Sequence, residues 1–232
     1  MDIFKNYHSF DYTNGFPICE RAKPKEFRDE VFTNFLCELP SRLLELRKVI
    51  PQEITMDFSY KSLEEIDKWY IPFIYQCYRD GVIPDLPDGK EWYIERGYEH
   101  DVESGLFRSP MEFRSLAYDL AIYLVETLRR IAMDDIHWVI GHGKVNKVRG
   151  YEAAGHPRAC SEKLKDAGMQ FNDVDRGCVP ITFMVLMRNG WIAQEAWYQH
   201  FKFEKLLSSI YKNCLNLYPD DIVPEHLLYP RY

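Results

Sequence analysis

Long apolar runs, paired cysteines and complete phosphate-binding or catalytic signatures are all missing from these 232 residues. The longest unbroken apolar run is "LAIYLV", Leu120 to Val125, where a bilayer-spanning helix needs about 20 such residues, so no membrane segment is expected. The opening "MDIFKNYHSFDY" has no basic stretch followed by an apolar one, so no secretory signal is expected. Cys19, Cys37, Cys77, Cys160, Cys178 and Cys214 are dispersed, with no CxxC pair. That spacing reads as reduced thiols in a cytoplasmic protein. Positive charge is also short, 29 Lys and Arg against 36 Asp and Glu, for a net charge of −7. A general electrostatic grip on nucleic acid or on an anionic membrane is therefore disfavoured, and a basic partner is the easier fit.

The stretch "IHWVIGHGKVNKVRG", Ile136 to Gly150, resembles a phosphate cradle at first sight. A P-loop requires GxxxxGK followed by Ser or Thr, so that backbone amides hold phosphate and the hydroxyl holds magnesium. Here the order is GHGKVN, with no such hydroxyl, and GxGxxG fails because Asn146 stands where the third glycine belongs. The stretch reads instead as a strand, "IHWVIG", with "KVNKVRGYEA" as its hairpin partner. His142, His156 and Cys160, completed by Cys178 or His137, form a candidate zinc set. Zinc needs four ligands, or three and a water, and loop histidines beside a buried thiol are the simpler reading. There is no GxSxG, HExxH or PCxxC motif, so no catalytic residue, metal or cofactor is assigned.

What the chain does have is 46 % hydrophobic and 28 % charged residues, which are globular proportions, and 15 % aromatics. Phe27, Val31, Phe32, Phe35, Leu36 and Leu39 trace an amphipathic helix from Lys25, and Pro40 breaks it or begins the next helix, "PSRLLELRKVI". "ITMDF" predicts a short strand. "SLEE", Ser62 to Glu65, is a capping box, after which Ile66, Trp69, Tyr70, Phe73, Ile74 and Cys77 share one face, with a kink expected from Pro72. "SPME", Ser109 to Glu112, starts a long helix ending near Met133, with Leu116, Ala117, Leu120, Ala121, Leu124, Leu128 and Ile131 on its buried face. Glu126 and Arg130, four apart on it, are placed to pair. "PITFMVLMRNG" predicts a buried strand and residues 193–217 a last helix.

The expected class is α+β, predominantly helical with a small antiparallel sheet in the second half. The chain reads as a single domain, 1–232, divisible into a helical part, 1–79, and an α+β part, 105–232, joined by an acidic loop, 80–104. Between Asp80 and Glu103 eight acids face only Lys90 and Arg96, a net of −6. Glu91, Glu95, Glu99, Asp101 and Glu103 interleave there with Trp92, Tyr93 and Tyr98. A charge run is often only a solvated face. Acids that steer and rings that anchor are also the chemistry of a surface that binds a basic protein.

Three landmarks in order, "MDFSYKSLEEIDKWY" (Met56 to Tyr70), "YDLAIYLVETLRR" (Tyr118 to Arg130) and "IHW" (Ile136 to Trp138), resemble bacterial cytoplasmic proteins found among the immunity proteins of polymorphic toxin systems. Val125 stands where that pattern has glycine. The resemblance covers about residues 56–138 and implies structural roles: Trp69, Tyr123 and Trp138 packing together, Glu126 tethering the strand, and Arg130 beside it. It also implies a non-enzymatic protein that neutralises a cognate toxin, a basic protein. The alternatives are a small-molecule- or metal-binding enzyme built around His137, His142, His156 and Glu126, and a structural or phage-related interaction protein.

Overall fold

The computed structural model describes residues 3–10, 25–82, 110–132, 136–140, 157–160, 205–208 and 211, and these are predominantly helical. Three helices carry the fold: α1 (Lys25–Val49), α2 (Tyr60–Arg79) and α3 (Met111–Ala132). Two four-residue strands, β1 (His137–Ile140) and β2 (Pro157–Cys160), pair antiparallel, with His137 opposite Cys160 and Ile140 opposite Pro157. This ladder is the only β-structure among the described residues, so the predominantly helical character is shown and the small antiparallel sheet expected in the second half is not shown beyond these two strands. The β1 partner found here is Pro157–Cys160, within "HPRAC", while the hairpin partner expected earlier in the chain and the 180–190 strand lie outside the described residues.

α3 is the centre. From Ser115 to Val125 every residue is buried. The periodicity predicts a single apolar face, but over this stretch the helix is covered all round, while Met111 and Arg130 toward its ends are exposed. Fully burying each large aliphatic side chain contributes about 1.5–3 kcal/mol, so Leu116, Leu120, Ile122, Leu124 and Leu128 dominate the favourable side of folding. α1 and α2 pack around α3. The N-terminal segment inserts Phe4 against Tyr7, Phe73 and Phe113. Phe73 also stacks on Trp69 and Phe113. One core cluster thus draws on residues from Tyr7 to Tyr211.

Local differences from the sequence pattern have identifiable causes. α1 is one helix of 25 residues running through Pro40. Proline deprives the Leu36 carbonyl of its N–H partner, but Pro40 lies on the exposed side, where water can satisfy that carbonyl. Phe35, Leu39 and Leu46 anchor the helix to the core on either side of it. "ITMDF" is not a strand; it forms bends and irregular backbone, and Phe58 adopts a positive φ of 60°. α2 is capped by Ser59, three residues before the expected capping box: its extended backbone turns into the helix and its hydroxyl accepts from the Ser62 amide. Pro72 sits inside α2 on the exposed side.

Replacing Pro40 by alanine restores the missing donor without disturbing a buried contact. Chemical denaturation of Pro40→Ala is expected to show a gain of about 1–2 kcal/mol; a loss would mean that a bend at this position is needed.

Candidate functional site

Of the residues proposed to contact a partner, Glu91, Trp92, Tyr93, Glu95, Tyr98, Glu99, Asp101 and Glu103 all lie outside the described residues. The expected structural set is described. Trp138 donates its indole N–H to Glu126 Oε1 at 2.8 Å and packs edge-on against Phe35 at 5.0 Å. The carboxylate thus ties β1 to α3, while Phe35 ties β1 to α1. Glu126 pairs with Arg129 at 2.8 Å, three residues on, and not with Arg130 as the spacing predicts. Arg130 instead sits over the Phe58 ring, 3.7 Å from its centroid, a cation–π contact.

Tyr123 lies 4.8 Å from Phe58, ring centre to ring centre, and its hydroxyl accepts the Phe58 amide. The same hydroxyl is 2.7 Å from Ser62 Oγ, which itself donates to the Ser59 carbonyl. Because the serine proton is used there, Tyr123 must be the donor to Ser62. This relay fixes the unusual backbone at Phe58 and the start of α2 against α3, and burial holds the Tyr123 hydroxyl above its ordinary pKa. Trp69 is half-buried beside Tyr70 and Phe73. Trp69, Tyr123 and Trp138 therefore line three different parts of the same core and have different ring partners.

His137 and Glu126 do not converge. Side chains alternate along a strand, so with Trp138 turned toward Glu126, His137 faces the other way, and it is exposed. His142, His156 and Cys178 lie outside the described residues. Among the described residues no group of three His, Cys, Asp or Glu could hold a metal ion, and no helix is long and apolar enough to cross a membrane.

Sequence reasoning passes over the strongest polar clusters. Arg42 is buried and grips Asp119 in a two-pronged pair, Nε to Oδ1 at 2.9 Å and Nη2 to Oδ2 at 2.5 Å. Arg42 also donates to the His8 carbonyl and to the Tyr7 and Ser115 hydroxyls. Tyr7 donates to Asp119, its hydroxyl lies 2.8 Å from Ser115, and Ser115 accepts the Phe10 amide. Burial, reinforced by the Asp119 charge, keeps Tyr7 protonated far above its usual range. Together these groups clamp the N-terminal segment onto α1 and α3.

The second cluster is the Asp67 carboxylate, which accepts the amides of Leu206, Leu207 and Ser208 and the Ser208 hydroxyl. Leu207 and Ser208 are helical and Lys205 and Leu206 are not, so a helix starts at Leu207, inside the 193–217 span expected to be one helix. Asp67 caps that start from across the molecule. A helix start offers free amides and a positive dipole end to an anion. Burial pushes the Asp67 carboxyl upward against the pull of these four donors. The pattern does carry a signal for Arg42, Asp67 and Asp119: each is a charged residue at a core-facing position of an otherwise apolar stripe. Such a residue requires a buried partner.

Two outcomes follow from this arrangement. Arg42→Ala and Asp119→Ala should each cost about 3–5 kcal/mol, since each strands a buried charge, and the double substitution should cost clearly less than their sum. Additive losses in a denaturation cycle would contradict the pairing. At the surface, Glu45 accepts from Lys48 and from the His8 amide, and these bonds overcome burial and lower its pKa from 4.5 to about 2. A depressed carboxylate stabilises the fold above its unfolded pKa and loses that contribution as pH falls toward the folded value. Glu45→Gln should therefore flatten the stability profile between about pH 4.5 and pH 2; an unchanged slope in acid titrations would refute the assignment.

No family model matches the chain, and neither a curated protein nor a solved structure matches it.

Proposed function

We propose that this protein is a non-catalytic, cytoplasmic binding protein that neutralises a cognate toxin, a basic protein, by covering its active site. The observation that carries this reading is the make-up of the stretch from Asp80 to Glu103, with eight acids against two bases and Trp92, Tyr93 and Tyr98 among them. Acids raise the rate of encounter with a basic protein, and amphipathic rings supply the contact area that slows its release. The likeness of three landmarks to immunity proteins of toxin systems supports the same reading. On this reading the β1–β2 ladder belongs to a small antiparallel sheet in the second half of an α+β fold.

The buried ionisable groups are compatible with it. Arg42, Asp119 and Asp67 are each engaged by several partners within the chain, and Glu126 is held by Trp138 and Arg129. Groups held in this way act as ties between elements. The enzyme reading, built on His137 and the histidines that follow it, gains no support, because His137 and Glu126 lie on opposite sides of β1.

Co-expression with the product of the adjacent reading frame tests the proposal. Growth should be rescued by the intact chain and not by Glu95→Lys/Glu99→Lys/Asp101→Lys. The triple variant should bind the toxin at least about tenfold more slowly at low salt, with a flattened dependence on ionic strength. Unaltered affinity, or a neighbouring product that is no toxin, would end the proposal.

A further inference from the structure

α1 is apolar on two sides. Inward it presents Phe35, Leu39, Leu46 and Val49, all buried. Outward it presents Leu36, Cys37, Pro40 and Leu44, all exposed, Leu36 to 39 % and Leu44 to 68 %. At about 100° per residue, Cys37, Pro40 and Leu44 fall within about 60° of one another, opposite the buried side, and Leu36 borders them. α2 turns a different stripe outward, Lys61, Lys68, Pro72, Gln76 and Arg79. A single exposed leucine calls for no explanation. Four apolar side chains in one stripe, on a helix whose other side already serves the core, form a seam.

Charge identifies what fits that seam. Asp29 and Glu30 flank its N-terminal end, and Arg47 and Lys48 flank its C-terminal end. Arg47 donates to the carbonyls of Pro51, Gln52 and Ile54, neutral acceptors that leave its charge uncompensated. Lys48 reaches Glu45 while its side chain stays 39 % exposed. We propose that α1 pairs antiparallel with α1 of a second copy of this chain about a two-fold axis near Glu38 and Leu39. That rotation sets Asp29 and Glu30 of one copy beside Lys48 and Arg47 of the other, Thr33 beside Leu44, and Cys37 beside Pro40. A parallel pairing would set acid against acid and base against base, and would oppose the helix dipoles as well. The interface is self-complementary and closes as a dimer. One helix per copy buries less than the roughly 1,200 Å² from which stable interfaces start, so the association is reversible and depends on concentration.

Sedimentation equilibrium of the full chain tests this over a wide concentration range. The intact protein is expected to pass from monomer to dimer. Leu44→Glu, at the most exposed point of the seam, should remain monomeric with an unchanged circular dichroism spectrum. Asp29→Lys and Lys48→Glu should each weaken association several-fold, and the two together should restore it, because the Asp29–Lys48 contact is then reversed at both ends. A short bis-maleimide should link two copies, and Cys37→Ser should abolish that product. A chain that stays monomeric overturns the proposal, whether Cys37 reacts freely or is shielded by the chain's own residues. A dimer that survives Leu44→Glu, or charge reversals that fail to rescue each other, also overturns it by placing the contact elsewhere.

Discussion

The Arg42 guanidinium, closed on Asp119 and surrounded by Tyr7, Ser115 and the His8 carbonyl, is the contact on which the rest of the described structure depends. Its donors reach from α1 to the N-terminal segment, 34 positions away, and to α3, 77 positions away. Apolar packing would accept many sliding arrangements of these elements. A planar, two-pronged pair accepts one. Buried ion pairs are weak sources of net stability, because desolvation consumes much of what their attraction contributes. Here the pair acts mainly by selecting an arrangement: any register in which Arg42 and Asp119 fail to meet leaves two buried charges stranded.

The same logic recurs at smaller scale. Asp67 holds a helix start some 140 residues away; Tyr123 and Ser62 fix the entry to α2; Glu126 positions β1 through Trp138. Each tie joins an element to α3 or α2.

How much of this could be read beforehand depended on whether the determinant was local. α2 and α3 announce themselves by their period, and β1 by the apolar "IHWVI" ahead of the glycines at 141 and 143. A tether from Glu126 to the strand was implied by the resemblance, and its partner, Trp138, lies 12 positions on. The continuity of α1 through Pro40 was not, since propensity weighs the lost hydrogen bond and cannot see the core contacts on both sides of it. Ser59 and Ser62 look alike as caps, and only the backbone at Phe58 decides between them. Arg42, Asp67 and Asp119 could be flagged as charges on apolar faces, but nothing local names a partner 77 or 140 positions away. The acidic stretch, on which the proposed function rests, lies outside the described residues.

Hydrogen exchange in the native state tests most directly whether the buried pair sets the arrangement. In the intact chain the amides of His8 and Phe10, which donate to Glu45 and Ser115, should be protected. In Asp119→Asn that protection should collapse while the amides of α2 keep theirs, because the N-terminal segment is released and the remaining core persists. Equal protection of His8 and Phe10 in both proteins would contradict the account.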